Sequence, residues 1–311
     1  MESDMELRNL STFLTVAKTL SFTRAAEELN YAQSSLSAQI QALERELGSP
    51  LFERLGKRIT LTESGRRLVG YAERLVNLER EALNSVPDAG EPAGVLAIGA
   101  CEWLCADLLP RTLQSMREHH PNVRLTIQPD ACTRLLTAVT SGALDVAFLA
   151  DERVRLPEIT VEVLQSESLI VIAPPDHRLA QRRRVRPEEL AGESFVVPRL
   201  ACTYLDALLA AMAAAGAAPG PLVEFGSVEA IKRCVEAGVG LAVSTRTAVR
   251  VELEEGRLAE LACKVAEFRQ HVQVIRHRDK WLSPALSAFI EIAKREIAGR
   301  GQPAAARRRS A

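Results

Sequence analysis

The sequence has no apolar run approaching the roughly 20 residues that a membrane-spanning helix requires, and its first residues, Met1 to Leu10, are acidic and polar, unlike a secretory signal. No membrane partner is expected, and the expected location is cytoplasmic. There is no excess of positive charge either: 39 Lys and Arg stand against 40 Asp and Glu, for a net charge of -1. The simplest sign of nucleic-acid binding, a basic domain, is therefore missing, and residues 1–90 carry more acids than bases. CxxC pairs are absent. The six cysteines, Cys101, Cys105, Cys132, Cys202, Cys234 and Cys263, lack the spacing of a zinc ribbon or a disulfide framework and read as reduced thiols. HExxH and GxSxG motifs are absent as well, so His119, His120, His177, His271 and His277 read as surface residues. No metal or cofactor is expected, and an enzyme is disfavoured because no nucleophile, base or carboxylate pair is set out at catalytic spacing.

What is present is an ordinary globular composition, 47% hydrophobic and 25% charged. At 311 residues the chain exceeds one compact core, so two domains and a connector are expected. Residues 7–84 read almost wholly helical. From Val95 strand-like runs at 95–98, 123–127, 146–149, 169–172, 195–197, 241–243 and 272–275 alternate with helical segments. That alternation is the pattern of βα units and a mostly parallel sheet. Between the two textures lies the stretch from Pro87 to Gly94, rich in residues that cannot continue a helix. The residues after 298, with Pro303 and Arg307 to Arg309, lack material for a core and read as a disordered basic tail.

The N-terminal part reads as a DNA-binding unit. Leu7, Leu10, Phe13, Leu14 and Ala17 share one face of a first helix ending near Lys18. Ser21 is placed to cap a short second helix that carries Phe22, Ala25, Ala26 and Leu29. After the turn from Asn30 to Ala32, a third helix spans 33–47, with Leu36, Ile40, Leu43 and Leu47 as its anchoring stripe. Its other face offers Gln33, Ser34, Ser35, Ser37, Gln39 and Gln41, short or amide side chains suited to phosphates and base edges. Polar residues of this kind are also common on solvated faces; the context decides. A β-prone patch follows, from Leu51 to Leu61, with Gly56 at its tip and Arg54, Lys57 and Arg58 in reach of phosphates. Two short helices, a tight turn and a basic ribbon make a winged helix-turn-helix.

These residues carry a resemblance to the LysR family of transcriptional regulators: Ser21, Phe22, Thr23, Ala25, Ala26 and Leu29; then Gln33, Ser37, Ile40, Leu43, Glu44, Leu47, Gly48, Leu51, Phe52 and Arg54; then Leu61, Thr62 and Gly65. The resemblance runs unbroken over about the first 65 residues. It implies that Gln33, Ser37 and Arg54 lie at the DNA surface, in a DNA-binding set of Thr23, Gln33, Ser34, Ser35, Ser37, Gln39, Arg54, Lys57 and Arg58. Two positions depart from the family pattern, Ala32 for a frequent serine and Ala38 for a longer polar residue, and each removes one contact. A helix from Thr62 to about Asn84 then lines up Leu68, Tyr71, Ala72, Leu75, Leu78 and Ala82. That stripe packs either on its own domain or, as the resemblance favours, against the same helix of a second chain.

Residues 94–297 resemble the effector domain of the same family, a fold of the type 2 periplasmic-binding-protein kind with two α/β lobes around a cleft. The residues are Gly99, Leu108 to Pro110, Pro121, the run Gly142, Leu144, Asp145, Val146 and Ala147, then His177, and Val235 with Gly238 to Gly240. The expected organisation is a winged helix-turn-helix over 1–62, a dimerisation helix over 63–86, a hinge over 87–94, a two-lobed effector domain over 95–298 and a tail over 299–311. Strand-to-helix corners at 100–103, 131–134, 201–204 and 226–229 should face the cleft, where free N–H groups attract anions. The expected effector is a small carboxylate or oxyanion held among Cys101, Glu102, Trp103, Thr133, Cys202, Thr203 and Ser227. Glu102 would repel an anion unless it caps a helix or pairs with a base such as Arg134.

The expected function is sequence-specific transcriptional control by a small effector, with double-stranded promoter DNA, a second copy of the chain (a dimer, then a tetramer) and RNA polymerase as partners. A thiol- or metal-responsive regulator through Cys101, Cys132 and Cys202 is the alternative, since those cysteines fall at three of the corners. Peroxide-sensing family members place a cysteine near the position of Cys202, but Ala211 stands where their second one would be. A solute-binding protein fits the second domain alone.

Overall fold

The computed structural model describes residues 5–55, 58–85, 92–198, 203–263 and 269–298. The chain divides into two compact units: Met1–Gly90 together with Thr140–Ala143, and the remainder. The tail over 299–311 and most of the hinge lie outside the described residues.

In the first unit, α1 (Leu7–Thr19), α2 (Phe22–Leu29) and α3 (Gln33–Leu47) pack around Leu10, Phe13, Val16, Ala25, Leu36, Ile40 and Leu43, all essentially buried. Ser21 caps α2 as its sequence position predicts, its Oγ accepting from the Arg24 N–H at 3.3 Å. The turn into α3 uses Asn30 in the left-handed conformation (φ 54°), which asparagine tolerates. An antiparallel ribbon follows, β1 (Phe52–Leu55) on β2 (Arg58–Leu61). Phe52 fixes it to the helices, with its ring 5.5 Å from Phe13 and 5.8 Å from Phe22. Glu44 of α3 accepts from the Leu51 and Phe52 N–H groups at 2.7 and 3.3 Å, so the wing leaves the helix at a defined angle.

Helix α4 (Glu63–Ser85) begins at Thr62, whose Oγ1 donates to the Pro50 carbonyl and accepts from the Gly65 N–H. Only glycine fits at position 65, because a Cβ there would stand 2.2 Å from the Leu51 carbonyl oxygen. Of the expected stripe, Leu68 and Ala72 pack into the unit's own core. Tyr71, Leu75 and Leu78 of the stripe are exposed, at 64, 37 and 62%, as is Leu83 beside it, at 68%. The stripe therefore has two destinations. Leu47 also departs from expectation: it is 41% exposed, and Leu36, Ile40 and Leu43 hold α3 without it.

The second unit contains two lobes. In the first, β3 (Gly94–Ala100), β4 (Val123–Pro129) and β5 (Val146–Asp151) run parallel, in the order β4-β3-β5. Helices α5 (Glu102–Asp107), α6 (Leu109–His119) and α7 (Cys132–Thr140) connect them, and α11 (Pro284–Ala298) closes the core through Phe289, whose ring packs edge-on to Phe148. The second lobe has β7 (Phe195–Pro198) parallel to β8 (Leu222–Phe225), with α8 (Thr203–Ala214) and α9 (Val228–Glu236). It is completed by β9 (Ala242–Thr245), α10 (Arg250–Glu254) and β10 (Ala259–Leu261).

The expectation of a mostly parallel sheet is half right. Strand β6 (Ile159–Ala173) is antiparallel to all its partners, pairing with β11 (Arg269–His277) through Ser168 and with β9 and β10 from Leu169 onward. It runs from one lobe into the other, and β11 returns along it beside β5. The expected run 169–172 covers only the second half of β6; the first half alternates apolar Ile159, Val161 and Val163 with polar Thr160 and Glu162 and is largely half-exposed or exposed. Buried ion pairs tie these layers: Lys280 Nζ meets Asp145 Oδ1 at 2.8 Å, and Lys232 meets Glu252 at 2.7 Å.

Candidate functional site

The expected DNA-facing residues split into three groups. Thr23, Gln33, Ser34 and Ser35 are exposed, and Ser37 lies with them on the first turns of α3. The α3 N-cap is Ala32, which offers no side-chain acceptor, so the first N–H groups of this helix stay open to an outside acceptor. Gln39 belongs elsewhere: its Oε1 accepts from the buried Thr12 hydroxyl at 2.6 Å. The reason is helical phase, since position 39 follows Leu36 by three residues and falls beside the buried stripe. The backbones of Arg54 and Arg58 lie on opposite strands of the ribbon, whereas Lys57 lies outside the described residues. Arg66 and Arg67, part of the same basic stretch, both pair with Glu63 at 3.3 and 3.2 Å, and the two guanidinium groups hold its carboxyl below the usual carboxylate range.

The parallel pairing of β3, β4 and β5 sets the corners of the first lobe side by side. Ala100 lies opposite both Pro129 and Phe148, so residues 101, 130–132 and 149–151 share one edge of the sheet. Here Cys101 and Cys132 meet, with sulfurs 3.0 Å apart, and Cys132 also turns towards the Ala150 carbonyl. The shared hydrogen bond with Cys101, together with burial, pushes the Cys132 thiol far above its ordinary range. Trp103 packs half-buried against the core of this lobe. Thr133 is exposed on the first turn of α7, between the half-buried Cys132 and the exposed Arg134. Cys202 lies outside the described residues, and Thr203 is described only as the first residue of α8.

Glu102 resolves the difficulty raised by its charge. Its Oε1 accepts from Ser227 Oγ at 2.9 Å and its Oε2 from the Val228 N–H at 3.0 Å. A carboxylate from the first lobe thus sits on the N-terminus of α9 in the second, where Ser227 is itself the N-cap. Arg134, the alternative partner, pairs with Asp130 instead, at 2.5 Å. Nothing in the sequence joins Glu102 to a helix 126 residues away; the nearest signal is that Glu102 and Ser227 both stand at corners. Among the described residues no group of three or more His, Cys, Asp or Glu is set to hold a metal ion. A groove lined by Glu162, Arg276, Glu291 and Lys294 lies on the α11 side of the first lobe, away from these corners, and Lys294 is already paired with both carboxylates.

A winged helix-turn-helix carried on the same chain as a two-lobed α/β domain defines a DNA-binding regulator with its own sensing domain. Comparison with known proteins gives the family. Residues 7–66 match the model for bacterial regulatory helix-turn-helix proteins of the lysR family, and residues 89–298 match the LysR substrate binding domain. The chain is similar to an uncharacterized HTH-type transcriptional regulator, YwqM, of Bacillus subtilis, with 35% identity covering 94% of this chain and 99% of that one. It is similar to the RuBisCO operon transcriptional regulator of Allochromatium vinosum, at 32% identity over 94% of this chain and 97% of that one. A full-length OxyR variant from Pseudomonas aeruginosa shares the fold with a TM-score of 0.68, at 24% identity and 95% coverage of both chains. The chain belongs to the LysR family: it is a LysR-type DNA-binding transcriptional regulator with an effector-binding domain. No helix among the described residues is long and apolar enough to cross a membrane.

Proposed function

We propose that this regulator responds to a small carboxylate or oxyanion bound between its lobes, in competition with its own Glu102. The observation that carries the reading is the Glu102 carboxylate on the N-terminus of α9, held by one hydroxyl and one backbone N–H. A position that accepts a protein carboxylate with this geometry accepts a ligand carboxylate of the same shape. Binding there displaces Glu102 and changes the angle between lobes that β6 and β11 join. Trp103, Thr133, Thr203 and Ser227 belong to the same cleft in this reading.

On the DNA side, Thr23, Gln33, Ser34, Ser35 and Ser37 are the contacts we assign to the α2–α3 unit, with Arg54, Lys57 and Arg58 as phosphate contacts of the wing. We assign Tyr71, Leu75, Leu78 and Leu83 of α4 to pairing with a second copy, because an exposed apolar stripe of this length needs a cover. Two copies present two reading helices, whose combined contacts exceed the affinity of one. Tetramer formation, RNA polymerase contact and a cytoplasmic, nucleoid-associated location follow from the same reading, as does domain organisation into 1–62, 63–86, 87–94, 95–298 and 299–311. The test is a binding titration of purified protein on promoter fragments against random duplex. Preference for a fragment is expected, and Arg54→Ala should weaken binding evenly over all sequences, with a salt slope shallower by about 1. Equal binding to every duplex overturns the assignment.

A further inference from the structure

We propose that Cys101 and Cys132 are a reversible dithiol–disulfide pair at the first-lobe edge of the cleft, oxidised by small disulfides through thiol exchange. The two residues are 31 positions apart, and their sulfurs stand 3.0 Å from one another. A disulfide of about 2.05 Å needs an approach of roughly 1 Å from there. The parallel register of β3 and β4 makes this meeting a property of the sheet, because it carries both chain segments to one edge. Cys101 is buried and Cys132 only partly so, which leaves the pair one side open to a small reagent. Cys105, one turn further along α5, directs its sulfur to the Ala100 carbonyl, and Cys234 and Cys263 belong to the other lobe.

Either sulfur of the pair can be the one that attacks, because the hydrogen bond between them has no fixed donor. One cysteine thiolate attacks one sulfur of the small disulfide, whose S–S bond breaks, and the first small thiolate leaves and takes up the proton that cysteine released. The other cysteine sulfur then attacks the protein sulfur of the mixed disulfide, giving up its proton, and the second small thiolate leaves and takes that proton. The protein dithiol is oxidised, one small disulfide is reduced, and two small thiols are formed. Cys101 immediately precedes Glu102, so the bridge would fix the base of the side chain that reaches α9. That regulatory consequence rests on the cleft reading above; the exchange chemistry does not.

The experiment equilibrates the full-length protein in glutathione buffers of increasing disulfide-to-thiol ratio, blocks free thiols with iodoacetamide, and maps the digested peptides by mass. A peptide pair joined through Cys101 and Cys132 should accumulate with the ratio and disappear on return to excess dithiothreitol. It should persist in Cys105→Ser. At least one of Cys132→Ser and Cys101→Ser should instead trap a glutathione adduct on the remaining cysteine of the pair. Absence of the joined pair at every ratio, in wild-type protein whose circular dichroism shows it folded, overturns the proposal, as does a wild-type cross-link that runs mainly through Cys202 or Cys105. Absence of an adduct in both single-serine variants overturns the exchange route.

Discussion

Replacing Glu102 with glutamine keeps the side chain's size and removes its charge from the N-terminus of α9. In the native protein the carboxylate accepts two hydrogen bonds, from Ser227 Oγ and from the Val228 N–H. Bonds to a charged group contribute about 1.5–3 kcal/mol and bonds between neutral groups about 0.5–1.5. The helix terminus adds roughly 0.3–1 kcal/mol for a negative charge. Glutamine can accept from the Val228 N–H and donate its NH2 to Ser227 Oγ, so both contacts can persist but each loses its charge. Solvent at the half-exposed site discounts the sum to about 2 kcal/mol, or roughly 30-fold in the ratio of closed to open lobes. Hydrogen exchange at the first residues of α9 reads the opening directly, and Glu102→Gln should accelerate it by about that factor. Titration with a panel of small mono- and dicarboxylates should show the matching gain in affinity for whichever member binds, since a competitor has been weakened. If exchange over residues 227–230 is unchanged and no carboxylate binds more tightly, Glu102 is a surface cap without a latching role.

Other residues give independent checks. Gly65→Ala should destabilise the DNA-binding unit by about 1–3 kcal/mol in urea denaturation, because the new Cβ meets the Leu51 carbonyl; an unchanged midpoint would mean that the wing-to-helix junction relaxes freely. Lys280→Met should cost about 3–5 kcal/mol by leaving the buried Asp145 without its cation, and the double variant with Asp145→Leu should recover part of it. Acid stability should depend on Glu252. Burial alone would raise its carboxyl, but hydrogen bonds and charge from Lys232, with Arg257 nearby, bring it below the ordinary value. Its contribution is therefore present above the unfolded carboxylate value, about pH 4.3, and is lost as the pH falls through the lower folded value. Glu252→Gln should flatten that part of an unfolding-versus-pH curve, and a curve parallel to wild type would refute the coupling.

Short-range features are legible in the sequence because they depend on neighbours along the chain. Helical spacing locates α1, α2 and α3, the Ser21 cap is a contact three residues long, and the strand runs 95–98, 123–127 and 146–149 each lie inside an observed strand. Errors begin where a residue sits on the margin between two faces. Amide chemistry points Gln39 outward, although a step of three residues from Leu36 puts it beside Thr12. Periodicity points Leu47 inward at the end of its helix, where the core has already ended. The direction of β6 is illegible for a different reason: a strand's hydrophobicity records burial, and not which way its partner runs.

What the sequence determined by itself was therefore the kind of molecule: a capped, alanine-paired helix-turn-helix with a basic wing, then alternating strands and helices, since periodicity and turn chemistry are local properties. What only the tertiary structure decided was which distant groups meet. Glu102 reaches Val228, Cys101 reaches Cys132 and Lys280 reaches Asp145 because strand order and the double crossover of β6 and β11 bring them together. Contacts across tens or hundreds of residues are set by packing of whole layers, which leaves no spacing rule in the chain itself to announce them.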